Sequence, residues 1–169
     1  MRSAIVYYSL EGNVRTAVTK LAQLLNADVF EIRTTKTYPK KGLGKFLVGG
    51  KDSAFGLLPK IEPLNFNTED YSLVVLALPV WAGKAAAPIN SFLKGRSFGK
   101  TRVAFLISSA SGDAESCEKD LAGKLGKSLA SIPVLSLKDP GKMPEDELTA
   151  KLTAFVEELQ PSGGGGGAF

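Results

Sequence analysis

Apolar residues recur along this chain in two rhythms, and their alternation predicts its elements. Ala4-Ile5-Val6-Tyr7-Tyr8 is a short apolar run, as expected of a strand buried on both faces. Val14, Val18, Leu21, Ala22 and Leu25 then recur at helical spacing, predicting a helix over Asn13 to Leu25 with Asn13 as its N-cap. After the turn Asn26-Ala27-Asp28, Val29 to Thr34 alternates in a way that suits an edge strand. Leu73 to Leu78 is a continuous apolar run and so a central strand; Val103 to Ile107 and Pro133 to Leu137 are the remaining two. Helices are predicted over about Pro88 to Leu93, Glu115 to Leu129 and Glu145 to Leu159. In the last, Leu148, Leu152, Phe155, Val156 and Leu159 share a face, and Glu and Asp open the first turn.

Residues 38–68 break the rhythm. Tyr38-Pro39-Lys40-Lys41-Gly42-Leu43-Gly44-Lys45 opens the region, and Gly49-Gly50, Pro59 and Pro63 punctuate it. Only Lys45 to Val48 reads as a short amphipathic piece; the rest is expected to be a long loop of functional or mobile character. At the other end, Pro161, Ser162 and Gly163 to Gly167 predict a flexible tail, so that residues 1–160 form one domain and 161–169 lie outside its fold.

Strands separated by helices argue for parallel βαβ units with right-handed crossovers. The expected fold is α/β: a three-layer, doubly wound sheet of five parallel strands. Such a sheet binds its ligand beyond the carboxyl ends of the strands, at the topological switch point. Three of those ends are unusual here. They are Ser9-Leu10-Glu11-Gly12-Asn13-Val14, Pro79-Val80-Trp81-Ala82-Gly83 and Ser108-Ser109-Ala110-Ser111-Gly112-Asp113. The first is a strand-to-helix turn whose unpaired N–H groups sit at the positive end of a helix dipole. A phosphate fits there with no lysine needed.

Composition narrows the chemistry. With 169 residues, 44% hydrophobic and 22% charged, the chain has the size and balance of one ordinary globular domain. No apolar run is long enough to span a bilayer, and Met1-Arg2-Ser3 leads straight into the first strand, so a cytoplasmic protein without membrane insertion is expected. Cys117 is the single cysteine and there is no histidine. That argues against a zinc or copper site and removes the usual Ser-His-Asp and Cys-His units. Chemistry, if any, is expected from a bound cofactor. The net charge of +4 is mild and its lysines are dispersed, without a nucleic-acid recognition motif. Cys117 lies near a helix start but has no base beside it, and reads as structural. Asp113 and Glu115 are explained by their place at that helix start. Tyr7 and Tyr8 read as strand residues. Lys40, Lys41 and Lys45 suit a partner-docking patch as well as a solvated loop.

The three loops, in this order, resemble the flavodoxin family over residues 1 to about 160. The family's first loop has the form Ser/Thr-x-Thr-Gly-Asn-Thr, which stands here as Ser9-Leu10-Glu11-Gly12-Asn13-Val14. The resemblance implies a flavodoxin-like fold with strand order 2-1-3-4-5 and FMN as cofactor. It implies that the Glu11, Gly12 and Asn13 backbone, with the Ser9 and Asn13 side chains, holds the phosphate. Pro79, Val80, Trp81, Ala82 and Gly83 would border the ring, with Trp81 the stacking candidate, and Ser109, Ala110, Ser111 and Gly112 would close the other side. Gly83 would permit a redox-linked peptide flip. Glu11 and Val14 stand where the family has hydroxyl residues; Arg15 and Thr16 are the neighbours able to compensate. The implied role is electron transfer with transient redox partner proteins. An NAD(P)H-dependent reductase of quinones or similar acceptors is the alternative, raised by a charge balance less acidic than that of familiar electron carriers. A non-redox module binding a phosphorylated ligand is the third reading.

Overall fold

In the computed structural model, which describes residues 2–35, 37–40 and 43–161, parallel pairing sets the sheet. The strands are β1 (Ser3–Tyr7), β2 (Asp28–Glu31), β3 (Leu73–Trp81), β4 (Lys84–Ala85), β5 (Arg102–Ser109) and β6 (Val134–Lys138), in the order β2-β1-β3-β5-β6. Apart from the two-residue β4, which pairs antiparallel with β3, this is the expected order, with β2 at the edge. The helices are α1 (Asn13–Leu25), α2 (Leu43–Ala54), α3 (Ala87–Leu93), α4 (Glu115–Leu125) and α5 (Glu145–Leu159). The expected tail beyond Pro161, like Lys41 and Gly42 of the expected loop, lies outside the described residues.

Period-two alternation splits the apolar runs between two cores. Ile5, Tyr7, Val75, Ala77, Ala104 and Leu106 pack under Val14, Ala17, Val18 and Leu21 of α1 and Leu148, Leu152 and Phe155 of α5. On the other face Val6, Val74, Leu76, Phe105 and Ile107 meet Ile89 and Phe92 of α3, Cys117 and Leu121 of α4, and Trp81. A strand sandwiched between two helix layers must be apolar at every position, which is why the central runs carry no alternation.

Four boundaries differ from expectation. Gly12, not Asn13, caps α1: it takes φ 96°, which glycine alone adopts readily. β3 runs three residues past Leu78, because Val80 and Trp81 pair with Ala85 and Lys84 around a two-residue turn. Both turn residues, Ala82 (φ 50°) and Gly83 (φ 73°), are left-handed, the geometry of a type I′ hairpin. α4 stops at Leu125, since Gly126 (φ 62°) ends it, and β2 ends at Glu31, leaving Thr34 a lone antiparallel bridge to Ile61.

The largest departure is α2. Residues 43–54 form a full helix where the sequence shows only a short piece. Its interior glycines cost roughly 1 kcal/mol each in intrinsic propensity, so the local signal is weak and packing compensates. Gly49 sits against the Trp81 indole, where a Cβ would stand 3.2–3.3 Å from Cε3, Cδ2 and Cζ3. Only a glycine lets the helix come this close.

Candidate functional site

Parallel strands end together, so the loops after β1, β3, β5 and β6 meet at one edge of the sheet and enclose a cavity of about 340 Å³. Of the residues singled out in the sequence, Ser9, Leu10, Glu11, Asn13, Val14, Pro79, Val80, Trp81, Ala82, Ser109 and Ala110 line it, together with Gly50, Ser108 and Asp139. Gly83 and Ser111 instead line an adjoining cavity of about 350 Å³ that shares Val80, Ser109 and Ala110 with the first. Gly12 and Gly112 line neither cavity. Gly12 shapes the α1 turn, and Gly112 holds its loop against β6, its carbonyl accepting from the Ser136 hydroxyl at 3.2 Å.

The first wall is the start of α1. Ser9 Oγ accepts from the N–H groups of Gly12 (3.2 Å) and Arg15 (3.3 Å). Two of the four open amides of the first turn are thereby satisfied. Those of Asn13 and Val14 have no acceptor among the described residues, and both residues line the cavity. Because Ser9 Oγ accepts twice, its own proton remains to be donated. The Val14 side chain is buried in the α1 core, so its contribution at the cavity is its backbone. Asn13 Oδ1 accepts from the Gly141 N–H at 3.1 Å, tying the turn to the loop after β6.

Neither compensating neighbour faces the cavity. The Thr16 hydroxyl donates to the Gly12 carbonyl at 3.0 Å. The Arg15 guanidinium donates to Glu31 and to the Tyr7 hydroxyl. Burial alone would raise the Glu31 carboxyl, but the hydrogen bonds from Arg15 and Arg33 outweigh it and hold it below its ordinary value. Among the described residues that line the cavity there is no lysine or arginine, while Glu11 and Asp139 bring carboxyl groups. Backbone amides and the helix dipole are the groups at this wall that can hold an anion.

The opposite wall is aromatic and nearly closed. Trp81 is 7% exposed. Tyr8 meets it edge-on with centroids 5.6 Å apart, Tyr38 lies tilted at 5.0 Å, and Gly49 packs against the six-membered ring. The Tyr38 hydroxyl donates to the buried carboxylate of Asp52 in α2 at 2.8 Å, which fixes α2 over the indole. Burial, followed by that hydrogen bond, pushes the Tyr38 hydroxyl well above its ordinary range.

The third wall carries an unsatisfied group. Ser109 is 6% exposed, and its Oγ has no hydrogen-bond partner among the described residues. Leaving a buried hydroxyl unpaired costs about 1–3 kcal/mol. Ser109 lines both cavities, while its Oγ is itself enclosed. Asp113 Oδ1 accepts from the Glu115 N–H at 3.1 Å and Glu115 pairs with Lys119, so these carboxylates serve the start of α4. Burial and then the Asp120 charge push the Cys117 thiol up to about 12, in keeping with a structural cysteine.

Sequence reading did not single out Asp139, nor Gly50 as a lining residue. Asp139 stands at φ 41°, a left-handed setting that an Asx side chain tolerates. Asp139-Pro140-Gly141 is a turn signal at the carboxyl end of a fourth parallel strand, so the switch-point rule could have pointed there. Gly50 belongs to a helix whose own signal is weak.

A family model described as flavodoxin matches residues 2–159, so the chain belongs to the flavodoxin family. No match is found among curated proteins. Solved structures share the fold at low identity. A candidate flavoprotein of Bacteroides eggerthii DSM 20697 is 19% identical with a TM-score of 0.71, over 92% of this chain and 98% of that one. A Lactobacillus acidophilus NCFM flavoprotein solved in complex with FMN is 20% identical at 0.64, over 83% and 95%. An NADPH-quinone reductase of P. pentosaceus is 12% identical at 0.56, over 96% and 100%.

Proposed function

We propose that this member of the flavodoxin family binds FMN in the paired cavities and passes electrons between partner proteins. Bound there, the flavin would supply one- and two-electron redox chemistry, for which the protein has no residues of its own. The residues fit it. The open Asn13 and Val14 amides, with the Ser9 hydroxyl, suit the phosphate. Trp81, Ala82 and Gly83 would border the ring on one side, and Ser109 to Ser111 on the other.

The observation that carries the reading is the pairing of unmet donors. Two amides at the start of α1, without an acceptor among the described residues, stand at one side of a cavity whose other side includes Ser109, with its unpartnered hydroxyl just behind the wall. A ligand with an anionic end and polar ring atoms would satisfy both ends. The chain's role would be to bind and orient the cofactor and to exclude water from the ring, work to which the buried Trp81 contributes.

The reductase reading draws on one observation of its own. The second cavity, lined by Gly83, Ser111, Asp113 and Ser116 beside the shared wall, offers room for a small acceptor. The similarity to an NADPH-quinone reductase agrees with it. One experiment addresses both. Purified protein is incubated with FMN, desalted and followed by its visible spectrum. A yellow protein that NADPH alone leaves oxidised, but a reduced redox protein bleaches, supports the carrier. Rapid bleaching by NADPH supports the reductase. A protein that stays colourless excludes both.

A further inference from the structure

Resting on the carrier reading, we infer that the carboxyl end of α2 is the docking surface of this protein and that its partner is an acidic redox protein. Five large hydrophobic residues are exposed among the described residues, and three of them, Phe55 (72%), Leu57 (45%) and Leu58 (47%), lie within four positions just past α2. Single exposed apolar residues are ordinary, but a cluster marks an interaction site. The cluster is not a fraying end. Gly56 takes φ 62°, and the Gly56 and Leu57 amides donate to the Ser53 and Asp52 carbonyls at 3.1 and 2.8 Å. This stop motif usually tucks its apolar residue back onto the helix; here that residue, Leu57, faces solvent.

The charges around the cluster name the partner's chemistry. Residues 36–60 contain Lys36, Lys40, Lys41, Lys45, Lys51 and Lys60 against one acidic residue, Asp52. Asp52 is buried and accepts from Tyr38. Lys40, Lys51 and Lys60 are exposed, and among the described residues none is in an ion pair. Lys51 precedes Phe55 by one helical turn and Lys60 follows Leu58 by two residues, and an apolar cluster flanked by such cations complements an acidic protein with an apolar contact of its own. The surface is also close to the site. Gly50 lines the cavity, and Phe55 follows five residues later, about 8 Å along the helix at 1.5 Å per residue.

The test uses the FMN-loaded chain and, as probe, a reduced plant-type [2Fe–2S] ferredoxin, which is acidic. Stopped-flow absorbance reads the second-order rate at which the iron–sulfur centre is oxidised and the flavin reduced. The expected rate falls steeply with ionic strength, by about tenfold or more in K40E/K51E/K60E, and severalfold in Phe55→Ser. Dithionite reduction of the same variants stays unchanged. With basic cytochrome c as oxidant of the reduced chain, the charge-reversed variant is expected to react faster, not slower. Ferredoxin rates indifferent to salt and to all four substitutions would overturn the inference. So would tight binding to phosphatidylglycerol vesicles that Phe55→Ser abolishes, since the patch would then serve an anionic lipid surface. A chain that never retains FMN defeats the underlying reading instead, and shows itself before any rate is measured.

Discussion

The two ends of the cavity are built on different principles. At the α1 end, neighbours in sequence present the amides. Ser9, Gly12, Asn13 and Val14 fall within six positions, and the open amides follow from the helix having to start. At the Trp81 end, the wall is an assembly of distant pieces: Tyr8 from the end of β1, Tyr38 before α2, Gly49 within it, and Trp81 at the end of β3. The first end is set by backbone conformation and tolerates side-chain change. The second is set by close packing and does not. Substitutions separate them.

The largest effect is expected at Gly12. Gly12→Val forces a β-branched residue to φ 96°, costing about 1–2 kcal/mol and distorting the turn that presents the amides. FMN binding should weaken by well over tenfold, measured by titrating the quenching of flavin fluorescence, while Trp81 emission stays native. Emission that shifts with it would join the two ends into one unit and break the distinction.

Next in size is Gly49→Leu. Its side chain enters a space where even a Cβ stands 3.2 Å from the indole, and overpacking of this kind costs about 1–3 kcal/mol. A lower midpoint in urea and red-shifted Trp81 emission are expected. An unchanged midpoint would mean that α2 does not clamp the indole.

Ser109→Ala sharpens the comparison by giving opposite signs. It removes an unpaired buried hydroxyl, so the ligand-free protein is expected to be as stable as before or more so by about 1 kcal/mol. FMN affinity falls about tenfold, the equivalent of one lost hydrogen bond near 1.4 kcal/mol. Differential calorimetry with and without FMN reads both signs. Loss of stability in the absence of FMN would mean that the hydroxyl has a structural role.

The smallest effect is the pH dependence of the Arg15–Glu31–Arg33 cluster beside α1. The folded Glu31 carboxyl lies below its ordinary value. Its stabilisation is therefore complete above the ordinary carboxylate range and lost as pH falls through the folded pKa. Because the cluster is half open to solvent, at most about 1 kcal/mol is expected. Glu31→Gln should flatten the fall in urea midpoint from neutral pH to strongly acidic pH, below the ordinary carboxylate range, by that amount.

Legibility follows the same division. The five main strands and α1, α3 and α5 were readable because buried apolar runs and helical spacing are written in adjacent residues. The three loops could be placed at one edge because parallel strands must end together. α2 was nearly invisible. Gly44, Gly49 and Gly50 weaken its helical signal, and the reason for Gly49, the indole against it, lies 32 positions away. The reach of Arg15 is likewise not legible in the sequence. From sequence it could turn to the cavity, and only the register that puts Glu31 beside Tyr7 draws it to the other side.

By itself, the sequence determined the doubly wound sheet, the helix start poised for an anion and membership of the flavodoxin family, because each rests on local pattern. The tertiary structure decided which wall closes over Trp81, that Asp139 joins the cavity, that the Ser109 hydroxyl is left without a partner among the described residues, and that Phe55, Leu57 and Leu58 face outward. Those depend on what distant segments cover, and burial is a property of the packed chain, not of any stretch within it.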